Sequence, residues 1–343
     1  MTLPLKVPYA PMEARLVPRI PEGAGWQYEP KWDGFRCLAF KDGARVDLQS
    51  KAGEPLGRYF PELVEAVAGT GIPRCVLDGE IVVPRGRSIS FEDLLLRIHP
   101  ADSRVRKLAA AQPALYIVFD LLVDERGKDL TGLTLEKRRA RLEQFAAKHL
   151  VGNDRFALSP ASRALPEAKK WLARAGGALD GVIAKRIDAS YDTGGRDAMQ
   201  KVKEKRTADC VVGGFRYASA GKVVGSLLLG LYDDAGRLHH VGFTSSLTAP
   251  ARKALTPKLE ALVKPPGFTG KAPGGPSRWS TKRSTEWQPL APRLVVEVGF
   301  DAFTGGRFRH GTKFLRFRPD KLPKQCTLDQ VERPAASLKS VLS

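Results

Sequence analysis

The chain has 343 residues, room for roughly two domains with a core each, and its 43% apolar content is that of an ordinary globular protein. A net charge of +19 and a pI near 9.9 bias it toward a polyanionic partner, with nucleic acid first among the candidates. No apolar run approaches the ~20 residues that cross a bilayer, and the start of the chain lacks a signal-peptide core. A cytoplasmic, membrane-free protein is therefore expected.

Residues 1–28 read as an extended lead-in, because Pro4, Pro8, Pro11, Pro18 and Pro21 block a long helix. Trp26 to Leu48 suits two strands joined by a turn at Lys41-Asp42-Gly43. A short helix starts near Tyr59 and runs toward Ala68. Cys75 to Val83 is an apolar run interrupted by Asp78 and Glu80, and an apolar strand does not accept two acids without a reason. Helical spacing returns at Phe91–Arg97 and Leu135–Leu150, with the strand-like run Leu115 to Leu122 between them. Leu165 to Ala175 reads as a helix closed by Gly176-Gly177. The β-rich Leu179–Arg186 and the basic stretch Gln200–Arg206 follow.

Beyond Thr207 the texture changes. Val211-Val212, Ser226–Tyr232, His239–Thr244 and Leu294–Phe300 read as short strands, with a helix over Ala249–Val263 and a flexible Pro/Gly segment at Pro265–Pro276. Short strands with one helix fit a small β-barrel of the OB type. The expected domains are 1–205 and 206–343. The four cysteines form no C-x-x-C pair, the five histidines show no ligand spacing, and no G-x-x-x-x-G-K-[ST] loop occurs.

Strands with charge at their ends suggest a pocket lined by Lys31, Asp78, Glu80, Phe119, Asp180, Lys201 and Lys203. A lysine amine attacks phosphorus only when deprotonated and aimed. Lysines neutralise a triphosphate as point charges, and magnesium asks for one or two carboxylates. Each residue also has a plainer reading. Asp78 and Asp180 precede glycines, as turn acids do. Phe119 fits a buried core, and Lys201, Lys203 and Lys205 alternate as one exposed strand face would.

In order and spacing, from Glu29 to Lys321, these segments resemble the nucleotidyltransferase motifs of ATP-dependent DNA ligases. The motif-bearing runs are Lys31-Trp32-Asp33-Gly34-Phe35-Arg36, Leu77-Asp78-Gly79-Glu80, Tyr116 to Asp120, Asp180 to Lys185, Gln200 to Lys203 and Arg316 to Lys321. The resemblance implies an α+β fold, with a nucleotidyltransferase (ATP-grasp-like) adenylation domain followed by a β-barrel OB-fold domain. It implies Lys31 as the nucleophile that forms lysyl-AMP. Glu29, Arg36, Glu80, Phe119, Lys185, Lys201, Lys203 and Arg318 are implied to hold the nucleotide, with Phe119 stacking on adenine and Lys201 and Lys203 on the α-phosphate. Glu80 and Asp180 would organise Mg2+ or Mn2+. Ser50, Lys51, Arg196 and Arg316 would meet DNA.

Three departures stand out. Asp180 replaces the family's usual Glu, Lys51 its usual Arg, and Met199 its usual Trp. The run Gly25 to Gly34 is similar to the minimal bacterial ligases of the C class and the ligase portion of the D class. That class implies ATP as cofactor, nicked duplex DNA as substrate, a monomer, a nucleoid-associated site of action and, for some members, Ku and a primase-polymerase as partners. It also implies an OB domain swinging about a hinge near Glu204–Asp209. An RNA-capping guanylyltransferase, an RNA ligase and a non-catalytic OB-fold nucleic-acid-binding protein are the alternatives.

Overall fold

The computed structural model describes residues 3–175, 179–204, 206–219, 221–274, 286–332 and 337–342. Two compact units emerge: Met1–Glu204 together with Pro334–Ser343, and Lys205–Arg333. The closing helix Leu338–Leu342 thus belongs with the first unit. Val341 is buried in a cluster with Tyr28, Trp32 and Trp171, and the Leu338 amide donates to the Arg87 carbonyl. Gly176-Gly177 and Lys205, part of the expected hinge, lie outside the described residues.

The first unit is built on two sheets. One has five strands in the order Arg45–Ser50, Phe35–Asp42, Arg74–Val82, Leu115–Val123, Phe156–Leu158. The other has four, in the order Arg15–Leu16, Met199–Val202, Leu179–Arg186, Trp26–Trp32. Both are mainly antiparallel. One apolar cluster takes Trp32 and Val182 from the smaller sheet and Val82 and Ile117 from the larger, so the sheets share a core.

Trp26 to Leu48 therefore forms three strands rather than two. The missed turn is Asp33-Gly34, where the chain leaves one sheet and enters the other. Only glycine fits there, since a Cβ on Gly34 would stand 2.2 Å from the Ile81 carbonyl oxygen. Lys31 and Arg36, five residues apart, thus lie on different sheets.

Helix Asp102–Ala111 was not legible in the sequence: only Val105 and Ala109 are buried, too few for a clear apolar stripe. Helix Leu135–His149 is tied to the larger sheet by a buried ion pair, with Arg138 donating to both oxygens of Asp120 at 2.9 and 3.2 Å.

The second unit is an antiparallel sheet in the order Leu238–Thr244, Val224–Tyr232, Arg206–Tyr217, Val295–Phe300, Lys313–Phe317. Its two edges meet at a parallel bridge between Thr244 and Thr312, a barrel-like return of the OB type. Helix Ala249–Glu260 is capped by Thr248 and buries Leu255 and Leu259. The segment expected to be flexible is pinned where it is described: Phe268 is buried, and Lys271 O accepts from the His240 amide at 2.7 Å.

Candidate active site

Between the two sheets of the first unit lies a cleft of about 560 Å³, lined by Glu29, Lys31, Arg36, Glu80, Phe119, Lys185 and Lys201, with Ser50 and Lys51 toward one side. Its floor follows from strand alternation. Gln27, Glu29 and Lys31 occupy every second position of one strand and so share a face.

Lys31 pairs in register with Gly181, and a bulge separates Leu179 from Gly181. That irregularity re-aims Asp180 toward the lysine: Lys31 Nζ stands 2.6 Å from Asp180 Oδ2, and Lys203 Nζ stands 3.1 Å from the same oxygen. Burial favours loss of the Lys31 proton, but the charge and hydrogen bond of Asp180, aided by Glu80 and Asp33, outweigh it. The lysine pKa therefore lies above its ordinary value. Lys201 is shifted the other way, by burial and then by the cations Lys31, Lys51 and Lys203.

Glu29 is buried and holds two donors, Gln27 Nε2 at 2.9 Å and Lys185 Nζ at 2.7 Å. The same Lys185 Nζ lies 4.7 Å from the Phe119 ring centroid, and the Arg36 guanidinium carbon lies 5.5 Å from it. Phe119 is half-exposed to the cleft rather than sunk in the core, unlike its strand neighbours. Glu80 Oε1 accepts from the Gly34 amide at 3.2 Å. Burial pushes the Glu80 carboxyl up to about 7, although Lys31 and Arg36 pull it down.

Asp78, expected on the cleft lining, is instead fully buried behind it. It accepts from Arg36 at 3.0 and 2.7 Å and from the Tyr191 hydroxyl at 2.7 Å, so its role is to hold Arg36. Lys51 and Arg196 both pair with Glu13, at 3.1 and 2.8 Å. In the second unit Arg318 donates to Asp209 and Asp320, Lys321 lies 3.0 Å from Asp209, and Arg316 binds Glu297 at 2.6 Å.

The chain matches the family described as ATP dependent DNA ligase domain over residues 11–203, and that described as ATP dependent DNA ligase C terminal region over residues 220–321. The chain belongs to the ATP-dependent DNA ligases. It is 45% identical to DNA ligase C2 of Mycolicibacterium smegmatis, over 98% of each chain. It is 32% identical to the multifunctional non-homologous end joining protein LigD of Pseudomonas aeruginosa, over 95% of this chain and 37% of that one. A solved Lig E DNA ligase shares its fold, with a TM-score of 0.51 and 20% identity over 86% of this chain and 93% of that one.

Three side chains that touch these groups have no counterpart among the residues expected from sequence: Gln27, Tyr191 and Glu13. Gln27 could have been found, since it shares the strand face of Glu29 and Lys31. Tyr191 and Glu13 carry no such signal: both lie in irregular segments far along the chain from what they touch. Among the described residues no group of three or more His, Cys, Asp or Glu could cage a metal ion, and no helix is long and apolar enough to cross a membrane.

Proposed function

We propose that this ligase seals nicks in duplex DNA by way of AMP bound covalently to Lys31. The observation that carries the reading is Lys31 in a cleft that also presents Glu80 and Phe119, with its ammonium against the Asp180 oxygen that Lys203 shares. Lys31 loses its proton to Asp180 Oδ2, its hydrogen-bonded neighbour, and its nitrogen forms a bond to the α-phosphorus of ATP. The bond to the bridging oxygen breaks and pyrophosphate leaves. Lys203 and Lys201 offset the charge that gathers on the phosphate. Phe119, kept in place by Lys185 and Arg36, offers a face for the adenine ring, and Glu29 is fixed at its edge. AMP then passes to the 5′-phosphate of a nick, and the 3′-hydroxyl displaces it. Arg318 serves the nucleotide step. Arg316, with Ser50, Lys51 and Arg196, serves the DNA.

The donor set fits Mg2+ or Mn2+ carried by the nucleotide phosphates better than a caged ion. Two oxygen acids, Glu80 and Asp180, are what such an ion asks of a protein, the remaining ligands being phosphate and water. When bound, the ion supplies charge neutralisation at the phosphates. Glu80 is suited to that task, because a cation beside it offsets the desolvation that raises its carboxyl to about 7.

The end-joining relative supports a setting in the repair of nicks and breaks, and the resemblance to the bacterial C and D classes adds the cytoplasm at the nucleoid, a monomer and, as in some members, Ku and a primase-polymerase as partners. The test is intact mass and label retention. Incubation with ATP should add one AMP to the wild type and none to Lys31→Ala, which should also fail to seal a nick. Label retained from GTP alone, or sealing that survives Lys31→Ala, overturns the reading.

A further inference from the structure

The N-terminal lead-in straps the two sheets of the first unit together. The Tyr9 amide donates to Gln49 Oε1 at 2.8 Å and Gln49 Nε2 donates back to the Tyr9 carbonyl at 2.7 Å, which fixes one end to the five-stranded sheet. Arg15 and Leu16 pair in parallel with Gln200 and Lys201, and the Val17 amide donates to the Lys201 carbonyl at 3.0 Å, which fixes the other end to the four-stranded sheet.

Glu13 lies between these anchors, on the lining of the cleft. It gathers Lys51 from the end of one sheet and Arg196 from the loop that leads into the other. Hydrogen bonding from Lys51 is the main cause holding its carboxyl below the usual range, so it stays charged. Lys201 faces the same space. Among the described residues, Lys51 and Arg196 pair with no other carboxylate and Lys201 pairs with none. Three cations thus converge on one small acid that comes from a separate segment.

We infer that Glu13 is a placeholder: among Lys51, Arg196 and Lys201, cations that the ligase reading already gives to phosphates, it occupies the place of a phosphate oxyanion until substrate displaces it. The inference rests on the ligase reading of the cleft and adds to it a built-in competitor. Lys51 and Arg196 are each more than half exposed, at 52% and 65% of the side chain. Exposed ion pairs of this kind are weak, so exchange for a phosphate is easy. A guanidinium fork and an ammonium are a common pair of phosphate donors. Glu13 keeps the cations aimed while no ligand is present. It also limits their grip on unspecific polyanions, because cations already neutralised by a carboxylate release fewer counterions when DNA arrives.

The phosphate could belong to the DNA backbone or to the triphosphate tail of ATP, and two measurements separate them. One is the affinity of the full chain, without ATP, for a 5′-phosphorylated nicked duplex over a range of salt. The other is the KM for ATP in self-adenylation without DNA. Glu13→Gln should strengthen nick binding severalfold and steepen its log–log salt dependence by about 1–2. If the site takes the ATP tail, the KM should fall instead. Glu13→Gln/Lys51→Ala should lose whichever gain appears, with thermal melting confirming that both variants fold. A folded Glu13→Gln protein in which neither ligand binds more tightly overturns the inference. A wild type that neither retains AMP nor binds the nick overturns the proposed function instead.

Discussion

Asp180 Oδ2 stands 2.6 Å from the Lys31 ammonium and holds it protonated, the form that cannot attack phosphorus. Removing the Asp180 charge leaves burial, which pushes the lysine pKa down, opposed by the weaker pull of Glu80 and Asp33. In Asp180→Asn the neutral amine should therefore appear at lower pH. The check is metal-free: acylation of Lys31 by acetic anhydride as a function of pH, read by peptide mass. The midpoint should shift toward acid in the variant. An unchanged midpoint would show that Asp180 does not control the lysine proton. Self-adenylation should fall despite the freer amine, because the proton acceptor has gone.

Glu80 supplies a pH dependence of stability. Its carboxyl has an ordinary value of 4.5 and is raised to about 7 in the folded chain, chiefly by burial. The folded state therefore binds more protons than the unfolded state between these values, and this group's contribution falls as pH rises from about 4.5 to 7. Glu80→Gln removes the buried charge. Measured in EDTA, the variant should match wild type near pH 5 and be more stable near pH 8, by about 1–2 kcal/mol once partial exposure is discounted. Urea unfolding at the two pH values checks the sign. A variant equally stable, or less stable, at the higher pH would remove the argument from desolvation.

Much of this site could be read before the fold was known, and what escaped did so for local reasons. Glu29 and Lys31 on one strand, and Glu80 inside an apolar run, announce themselves because alternation and misplaced charge are one-dimensional signals. Asp78, two residues before Glu80, shares its face of the strand, yet it lies deeper, where Arg36 and Tyr191 cover and neutralise it. The strand Arg206–Tyr217 was seen only at Val211-Val212, because Asp209 and Gly213-Gly214 break its apolar pattern. Asp209 is tolerated there through Arg318 and Lys321, more than 100 residues away. The sheet-to-sheet turn at Asp33-Gly34 depends on how close Ile81 comes, which no local preference encodes.

The Arg138–Asp120 pair is almost fully withdrawn from water, with side-chain exposures of 2% and 4%. Arg138 also donates to the Leu133 carbonyl at 2.6 Å and lies over the Tyr191 ring at 5.5 Å, so it supports the residue that holds Asp78. Arg138→Ala strands a buried carboxylate and should cost about 3–5 kcal/mol, read by urea unfolding. Arg138→Met with Asp120→Leu should regain most of that, since an apolar pair of similar volume replaces the ion pair. If the double variant is as unstable as the single, the loss comes from Arg138's other contacts and not from the unpaired acid.

Gly181 joins fold to chemistry. Its φ of +140° lies where a side chain is strained, and a Cβ there would stand 2.0 Å from the Val202 carbonyl oxygen. Relief of that overlap requires Val202 to move, and Lys203 with it. Gly181→Ala should thus disturb the shared Asp180 contact of Lys31 and Lys203 as well as destabilise the strand. Gly71 is the control: its φ is +69°, but a Cβ would meet nothing within 4 Å. Gly71→Ala should cost only backbone strain, roughly 1 kcal/mol, with self-adenylation near wild type. Gly181→Ala should cost more, roughly 3 kcal/mol, and should lose self-adenylation even at a temperature where melting shows it folded. Equal behaviour of the two variants would mean that the close approach of Val202 does not position the lysines. Activity retained in a folded Gly181→Ala protein would detach Lys203 from the nucleophile it shares an oxygen with.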